Sequence, residues 1–517
     1  MKNTDDIGNI LIWLRDYANY RINSRLIDER RSFPPYIILD FGNQGLLGML
    51  APKLYGGMEL SSSSLVRVLE QLGSIDLSLG LFVGLNNVLG IMPITKYANK
   101  TVQEELLPLL AKGRELAAFS ITEPGAGSNP LAISSKAVFD SLNTWRLFGK
   151  KIWSGSAAWA GVINIFVKLC DENGRDKGIT GFVVKQRTKG LRQGEEQLTM
   201  GMRGMVQNTI YLEGAIVTKD YQLGLEGHGM QVAQDAMMLG RLGISALSLG
   251  GMKRCLQLIL RYSEKRIISS GKLLDNKVTL MYISDIVYAI IALENIIEVI
   301  VNRIDNNEFI PNELFAICKI FGSEFLWGAS DKLVQLLGGR GYIETNIAPQ
   351  MLRDARVFRI FEGPTETLYC FIGAKLLNNP EEIYTFLVKV LNEPQSVERI
   401  KGILQKIQDG SKNYQYNSFI IGKIISYLIP MFILQHKYKD ANNEAINKTI
   451  KWLECWVNQF IFKYVTKEDK QDLILNAGII KDLVFLQQDS IGDIEQTMVG
   501  ENFNIDPMIS KMCQQYD

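Results

Sequence analysis

Histidine and paired cysteine are scarce in this chain of 517 residues. Its two histidines, His228 and His436, are far apart in sequence, and neither has cysteine or carboxylate partners at metal-ligand spacing. The six cysteines are scattered without a Cys-x-x-Cys pair, which argues against a disulfide framework and a zinc site and fits a reducing compartment. We therefore expect no bound metal.

An excess of charge of one sign is also missing. The chain has 56 basic and 55 acidic residues and no long Lys/Arg block, whereas binding to nucleic-acid phosphates needs a concentrated basic surface. Nucleic acid is therefore an improbable partner. The opening MKNTDDIGNILIW has neither the basic-then-apolar order of a signal peptide nor the Arg-rich character of a transit peptide, so we expect a cytoplasmic protein.

Long apolar runs and a dinucleotide fingerprint are lacking as well. Residues 419–434 are apolar but fall short of the roughly 20 residues of a spanning helix, and they include Lys423 and Pro430. A buried or interfacial helix is favoured over a membrane span, and membrane association stays an alternative. The Gly227-His-Gly229 step has no complete G-x-G-x-x-G and no preceding strand, so no Rossmann domain is expected.

What is present is a change of hydrophobic period along a chain long enough for two or three domains. Helical spacing predicts an N-terminal α-helical domain over 1–116, and short alternating runs predict a small central β-domain over 117–227. Long helical patterns return in a C-terminal α-helical bundle over 228–380 and in a helical extension over 381–517. The expected fold class is α+β, mostly α. The expected strands include 162–167, 181–185 and 209–217, and the expected helices include 231–264, 278–304 and 312–337.

The strongest functional signal is the stretch QLLGGRGYIETNIAPQMLRDARVFRIFEGPTE, residues 335–366. It places one carboxylate, Glu362, on a turn closed by Gly-Pro, after a glycine-rich segment and an Arg353-Asp354 step. Between Phe361 and Gly363, such a residue can present its side chain to a substrate carbon and its own N–H to a carbonyl oxygen.

This stretch resembles the acyl-CoA dehydrogenase superfamily, which carries Gln-x-x-Gly-Gly-x-Gly-aromatic, Arg-Asp-Ala and aromatic-Glu-Gly-Thr segments. The resemblance covers roughly residues 30–380, and the extension is similar to that of the very-long-chain branch. It implies noncovalent FAD and α,β-dehydrogenation of an acyl thioester, with Glu362 as the α-proton base and hydride transfer from Cβ to flavin N5. Pro364 departs from the family's Thr; we expect it to hold Gly363 extended and Thr365 to replace the missing hydroxyl.

Other members of the family carry the base on a helix immediately before an Arg, and the matching pair here is Gly240-Arg241. Glycine cannot act as a base, and Glu366 lies past the turn, so Glu362 is favoured over both. The alternative to a catalytic role is a purely structural one, in which Glu362 forms an ion pair with Arg359 or another basic residue. The resemblance assigns substrate contacts to Ser128, Arg241 and Gly363.

Two further segments resemble the family's flavin-binding motifs. They are Phe119-Ser-Ile-Thr-Glu-Pro-Gly-Ala-Gly-Ser128 and Gly149-Lys-Lys-Ile-Trp-Ser154. Gly155 replaces a family Thr or Ser, so Ser154 or Ser156 would have to supply that hydroxyl. Asn129 and Met205 are further departures, and Glu123 is interpreted as structural. The expected FAD contacts are Phe119, Ile121, Thr122, Ser128, Trp153, Gly155, Arg266, Gln335, Gly338, Gly339 and Thr365.

The resemblance also implies an oligomer. Arg266, placed in a helix after Tyr262, is similar to an arginine that reaches the flavin pyrophosphate across a subunit interface. Gln335, Gly338 and Gly339 resemble residues that cover the adenine end from the partner subunit. A homodimer is therefore the smallest expected assembly.

Several alternatives stay open at the level of sequence. The thioester carrier could be coenzyme A or an acyl carrier protein. The electron acceptor could be an electron-transfer flavoprotein, another acceptor, or oxygen in an acyl oxidase. A different class is a non-catalytic FAD-binding assembly or scaffold protein whose extension binds a partner or membrane. That extension could also cover the partner subunit.

Overall fold

A computed structural model describes residues 4–141, 143–410, 412–464 and 474–492 of the chain. A first compact unit ends at Val457 and a second begins at Asn458. The first unit runs from helices through a β-domain to helices again, which confirms the predicted α+β, mostly α class. The predicted domain limits at 116/117 and 227/228 fall before the first strand and before the long helix that follows the sheet.

The N-terminal helices pack on an apolar core and begin at side-chain caps. Asn23, Ser61, Asp76 and Asn99 each accept a hydrogen bond from a backbone N–H in the first turn of the helix that follows. The helices are α1 Thr4–Arg21, α2 Ser24–Arg30, α3 Pro35–Asn43, α4 Ser62–Ile75, α5 Leu77–Leu85, α6 Met92–Tyr97 and α7 Lys100–Ala111.

Between α5 and α6 the helix continues as a π-helical turn over Asn86–Ile91, a distortion that is frequent at functional sites. Side-chain amides fix this turn from two directions. Asn164 donates to the carbonyls of Leu89 and Gly90, at 2.9 and 2.8 Å, and Asn86 donates to the carbonyl of Leu47 at 2.7 Å. The π turn is thereby attached to the neighbouring sheet.

The central β-domain is one sheet in the order β6-β7-β3-β2-β4-β5-β8, with β1 paired in parallel to β4. Alternate residues of β3, β4, β5 and β7 meet in a buried apolar core that includes Trp145 and Phe182. The runs expected over 162–167, 181–185 and 209–217 lie in β4, β5 and β7 and are confirmed as strands. The strands are β1 Ala117–Ser120, β2 Lys136–Ser141, β3 Thr144–Gly155, β4 Val162–Cys170, β5 Asp176–Lys185, β6 Leu191–Glu196, β7 Gln207–Thr218 and β8 Gln222–Leu223.

The C-terminal bundle is built around a long helix, α8, which packs against α4 and α10. Close helix approach is possible because small residues lie at the crossings; a Cβ on Gly250 would meet the Glu70 carbonyl at 1.9 Å. The three helices predicted over 231–264, 278–304 and 312–337 are confirmed. The elements are α8 Gly229–Lys265, β9 Ile267–Ile268, β10 Gly271–Lys272, α9 Lys277–Asp305, α10 Asn312–Leu337, α11 Gly339–Tyr342, α12 Ile347–Phe358 and α13 Thr365–Asn378.

The extension adds a buried apolar helix, α16, against α13, α9 and α10. Residues 420–434 of α16 are buried except for the half-buried Lys423, which confirms the predicted buried helix. Among the described residues, Leu77–Tyr97 and Tyr414–Lys437 have the length and composition of membrane spans, yet 89% of an apolar 18-residue window in each is buried inside the protein. The helices are α14 Glu381–Thr385, α15 Pro394–Gly410, α16 Tyr414–Lys437, α17 Glu444–Tyr464 and α18 Ala477–Ile491.

Candidate active site

The turn that carries Glu362 has an uncommon backbone. Glu362 lies at φ +55° and Gly363 at φ +98°, immediately before Pro364 and α13. The expectation that Pro364 keeps Gly363 extended is therefore wrong, because glycine has no Cβ and reaches positive φ even before proline. A non-glycine residue in the left-handed region costs roughly 1–2 kcal/mol, so the surroundings must hold Glu362 there.

Two cationic side chains hold consecutive carbonyls of this turn. Arg241 of α8 donates from Nε to the carbonyl of Glu362 at 3.2 Å. Lys319 of α10 donates from Nζ to the carbonyl of Gly363 at 2.7 Å. Hydrogen bonds from charged groups are worth roughly 1.5–3 kcal/mol each, enough to offset the strain at Glu362.

A carboxylate on α10 secures both ends of the same turn. Glu324 accepts from Arg359 Nε and from the Thr365 hydroxyl, each at 2.7 Å, and the Thr365 N–H donates to the Arg359 carbonyl at 3.1 Å. The partner of Arg359 is therefore Glu324, not Glu362. The Thr365 hydroxyl has a structural donor role here, and its expected flavin contact stays a prediction.

The Glu362 carboxylate is placed where ionisation is disfavoured. Its Oε2 is buried and has no hydrogen-bond partner in the described part of the chain. Burial raises the pKa of Glu362 to about 7, against the opposing charges of Arg241 and Lys319. A carboxylate with a pKa near the working pH is suited to general-base catalysis.

Gly240 faces this carboxylate and lies beside Leu89 of the π turn. A Cβ built on Gly240 would lie 3.5 Å from the Glu362 carboxyl carbon and 3.5 Å from Leu89 Cδ2. One turn earlier in the same helical segment, Leu85 Cδ1 lies 3.0 Å from the Cβ position of Gly155. The π turn of the N-terminal domain therefore lies between the β-domain motif and Glu362.

A buried ion pair organises the first predicted flavin-binding segment. Glu123 and Lys151 are 3% and 0% exposed, and Lys151 Nζ lies 2.7 Å from Glu123 Oε1. Glu123 also accepts from the backbone N–H groups of Ser134 and Ser135. Although burial alone would raise it, Lys151 and these donors hold the pKa of Glu123 below its usual range. The geometry agrees with the structural interpretation of Glu123.

The ion pair fixes the backbone on which the expected contacts lie. Lys151 also donates to the carbonyl of Ile121 at 3.2 Å, and the Ile152 N–H donates to the carbonyl of Thr122 at 3.0 Å. The Phe119 side chain is buried against Phe166, and its expected flavin contact stays a prediction.

The loop beyond the ion pair is open at Ser128. Gly127 and Ser128 are exposed, and a Cβ on Gly127 would meet no heavy atom within 4 Å. Backbone and hydroxyl groups in such an open loop can approach a planar or phosphate-bearing ligand closely.

The second predicted segment exposes an aromatic ring beside an unpaired hydroxyl. Trp153 lies at φ +52° and is 56% exposed, although it belongs to β3. The Ser154 hydroxyl pairs with that of Ser120 at 2.5 Å, whereas the buried Ser156 hydroxyl has no partner among the described residues. Of the two hydroxyls expected to compensate for Gly155, Ser156 is the one that is free. An exposed indole, an orphan hydroxyl and an open glycine loop fit a large aromatic cofactor such as FAD.

The four residues expected to reach a partner's cofactor are exposed; they are Arg266, Gln335, Gly338 and Gly339. Arg266 is the first residue after α8, which ends at Lys265, so its expected helical placement is wrong by one residue. The backbone is extended at Arg266, and the Arg266 carbonyl accepts a hydrogen bond from the N–H of Leu273. Gln335, Gly338 and Gly339 lie at the α10–α11 junction, and Cβ atoms on both glycines would enter open space.

The Arg353-Asp354 step has a structural role between domains. Arg353 contacts Asp28 of α2 and Glu344, and the buried Asp354 accepts the N–H of Met202 at 2.5 Å. Burial raises the pKa of Asp354 to about 8. Met202 lies between β6 and β7, close to Met205, which departs from the family pattern. The hydrogen bond from Met202 to Asp354 therefore joins the β-domain to α12. Glu366, the rejected acid, is exposed in the first turn of α13.

Sequence reasoning missed Lys319, Glu324 and Lys151. Lys319 interrupts the apolar run LFAICKIFG, and a lone charge inside such a run signals a buried group that needs a partner.

Away from Glu362, the described residues form a cavity but no metal site. Within the described residues no group of histidine, cysteine or carboxylate side chains could hold a metal. A large open cavity of about 1280 Å³, rich in arginine, lies between α1, α4 and the second half of α8.

Comparisons with known proteins converge on one family. Three domain descriptions match the chain: acyl-CoA dehydrogenase N-terminal domain over residues 6–114, middle domain over 118–215 and C-terminal domain over 227–377. The rat mitochondrial very long-chain specific acyl-CoA dehydrogenase is 29% identical over 68% of this chain and 54% of its own length. The human mitochondrial short-chain specific enzyme is 29% identical over 71% of this chain and 88% of its own.

Solved structures share the fold. An acyl-CoA dehydrogenase complexed with FAD from Bacillus anthracis superposes with a TM-score of 0.77 at 21% identity, over 93% of this chain and 91% of its own. The prolyl acyl carrier protein oxidase AnaB gives a TM-score of 0.68 at 23% identity, over 73% and 100%. The chain spans about half the length of the very-long-chain relatives that it matches.

Proposed function

Because this chain belongs to the acyl-CoA dehydrogenase family, we propose that it is a flavin oxidoreductase that introduces an α,β double bond into an acyl thioester. The observation that carries the proposal is the position of Glu362. Its Oε2 is buried without a hydrogen-bond partner among the described residues, and burial raises the pKa of its carboxyl, on a turn held by Arg241, Lys319 and Glu324. Most buried polar atoms are paired, so the unpaired Oε2 of Glu362 calls for an explanation, which a catalytic role would supply.

Glu362 is proposed to remove the α-proton. An acyl chain that passes Leu89 would bring its α-carbon to this carboxylate in an apolar environment, where a base near its own pKa accepts a proton effectively. The Glu362 N–H has no hydrogen-bond partner among the described residues and is available for the thioester oxygen. That hydrogen bond would stabilise the negative charge that develops on the oxygen.

The cofactor proposed is FAD. Ile121, Thr122, Ser128, Trp153 and Ser156 would hold it from the β-domain, with backbone contact at Phe119 and Gly155. When bound, FAD supplies the oxidant that accepts the hydride from the β-carbon. The Bacillus anthracis relative of the same fold is an FAD complex, which supports the assignment.

The expected assembly is a homodimer or larger, with Arg266, Gln335, Gly338 and Gly339 directed to a partner's cofactor. Their exposure in one chain supports this proposal. Light scattering of the purified protein, before and after Arg266→Ala, would test it. A monomer that retains FAD and activity would reject the shared site. The cytoplasmic localisation stays a prediction.

The carrier and the acceptor are proposed as coenzyme A and an electron-transfer flavoprotein. The acyl-carrier-protein thioester and the oxidase reaction remain the second candidate, since one protein of the same fold is a prolyl acyl carrier protein oxidase. Presenting one acyl group on both carriers and comparing the rates of flavin reduction separates the carriers. Rapid reoxidation in air with release of peroxide would favour the oxidase.

The experiment that tests the function is anaerobic mixing of the protein with a panel of acyl thioesters. We expect the visible absorbance of the flavin to bleach and an α,β-unsaturated product to appear by mass analysis. Glu362→Gln should retain FAD but fail to bleach. A wild-type flavoprotein that responds to no thioester would favour the non-catalytic scaffold instead.

A further inference from the structure

Lys319 is a lysine inside the helical core. It lies in the middle of α10, its side chain is 0% exposed, and its neighbours in the chain are apolar. Burying an ammonium group is unfavourable unless partners compensate for its lost hydration. Because the burial of its ammonium group is unfavourable, Lys319 needs a structural or functional explanation.

Among the described residues, Lys319 donates its hydrogen bond to the turn of Glu362 and not to a carboxylate. Lys319 Nζ donates to the carbonyl of Gly363 at 2.7 Å, and it forms no ion pair with any described carboxylate. Arg241, from the opposite helix α8, donates to the preceding carbonyl, that of Glu362. The two peptide planes that follow Glu362 are therefore each fixed by a cation.

This arrangement matters because of the backbone at Glu362. Its φ of +55° sets both the direction of the carboxylate and that of the neighbouring N–H. Fixing the carbonyls of Glu362 and Gly363 prevents the turn from relaxing to a commoner conformation. Small displacements of a positioned catalytic group lower rates strongly, by about 100-fold for roughly 1 Å.

Charged side chains of the turn and of three helices act on Lys319. Glu362 faces it from the turn, Arg241 from α8, Glu324 from α10 itself and Glu366 from α13. Burial lowers the pKa of Lys319 to about 7, while Glu362 acts in the opposite direction. The same interaction lowers the pKa of Glu362 relative to what burial alone would give. The ammonium therefore favours the ionised carboxylate.

We propose that Lys319 is a positioning residue for proton abstraction, which holds the Glu362–Gly363 backbone in its catalytic conformation and favours ionised Glu362 through its charge. The inference rests on the proposed function of Glu362 as the base. It has two separable parts, because the hydrogen bond to Gly363 persists when Lys319 is neutral and the electrostatic effect does not.

The test is Lys319→Met, which keeps an unbranched side chain of similar length and removes both the charge and the donor. We expect kcat to fall by about 10- to 100-fold with a smaller change in KM, since positioning acts in the transition state. The acid limb of kcat/KM against pH should move upward by about half a unit or more, because Glu362 loses a neighbouring cation. At about pH 9, where Glu362 is ionised in both proteins, the remaining deficit reports positioning alone.

The matched control is Lys253→Met on α8. Lys253 pairs with Glu70 and Glu294 at 2.6 and 2.5 Å and contacts no part of the turn. This variant should lose stability without moving the acid limb. A second readout avoids turnover: calorimetric binding of a non-oxidisable thioester analogue should acquire a different pH dependence in Lys319→Met and an unchanged one in Lys253→Met.

Failure of this inference can be told from failure of the proposed function. If Glu362→Gln bleaches normally, Glu362 is not the base and the proposed function itself is wrong. If Glu362→Gln is inactive but Lys319→Met keeps the wild-type kcat and acid limb, the positioning role is overturned. If Lys319→Met folds poorly, Lys319→Gln with the same two readouts decides, because its amide can still donate to Gly363 without a charge. That variant should recover part of kcat at about pH 9 and keep the shifted acid limb; an unshifted limb would reject the electrostatic part.

Discussion

The carboxyl carbon of Glu362 lies 3.5 Å from the point where a Cβ would project from Gly240 of α8. The two residues therefore face the same small volume from different elements. This proximity gives a physical reason why a carboxylate at either position could reach the same reacting carbon.

Relocating the carboxylate should consequently restore part of the activity. Glu362→Gly is expected to lower kcat by roughly 100- to 10,000-fold, the usual contribution of a general base. Adding Gly240→Glu should recover a measurable fraction, because the new carboxylate arises beside the vacated one. Stopped-flow reduction of the flavin by one thioester compares the variants. No gain over Glu362→Gly, with FAD still bound, would show that Gly240 does not face the reacting carbon.

The buried pair Glu123–Lys151 should be essential for the predicted cofactor loop. Lys151→Met leaves an uncompensated buried carboxylate, and we expect a loss of roughly 3–5 kcal/mol in the free energy of unfolding together with weak flavin retention. Glu123→Gln/Lys151→Met should be less damaged, because the amide oxygen still accepts from Ser134 and Ser135. Urea unfolding and the flavin-to-protein absorbance ratio measure both effects. Equal damage in single and double variants would contradict the account.

Stability should depend on pH through Asp354. Its pKa is raised by burial, so it binds a proton in the folded state that the unfolded chain has already released. The stability associated with this carboxyl is thus present at low pH and is lost as pH rises toward about 8. Asp354→Asn keeps an acceptor for Met202 and removes the titration. Its stability relative to wild type should increase between pH 5 and 8 in urea unfolding; a constant difference would contradict the raised pKa.

Helix α16 should behave as a core helix. A Cβ on Gly422 would lie 1.9 Å from the Tyr369 carbonyl of α13, so Gly422→Ala must separate the two helices, at roughly 1–3 kcal/mol or more. Gly402→Ala on α15 is the matched control, because its Cβ would meet nothing within 4 Å and alanine favours a helix. Thermal unfolding of both variants checks the contrast. Tolerance of Gly422→Ala would mean that α16 is not packed there.

The sequence alone predicts the helices and strands that have a regular hydrophobic period or a clear local motif. The helical period of 312–337 and the alternation of 209–217 identify α10 and β7, and the charged turn points to Glu362, whose role as the base stays a prediction. The side-chain contacts that hold this turn could not be predicted from the sequence. Lys319 and Glu362 are 43 positions apart in the chain, and no local pattern says that a lysine of α10 reaches the Gly363 carbonyl.

Side-chain partners were the other point at which sequence reasoning stopped. The Thr365 hydroxyl donates a hydrogen bond to Glu324, a partner that no local pattern indicates, and its expected flavin contact stays a prediction. Gly363 was expected to be extended from the general effect of proline, but its missing side chain permits a positive φ. Both outcomes depend on tertiary neighbours that only the folded chain brings together.

The most direct measurement concerns the proton itself. An acyl thioester with a fully substituted β-carbon has an α-proton but no β-hydrogen to transfer, so its α-exchange with deuterated solvent isolates the first step. We predict that the FAD-loaded wild-type protein catalyses this exchange, detected by mass analysis, and that Glu362→Gln does not. Exchange by Glu362→Gln at the wild-type rate would contradict the assignment of Glu362 as the base.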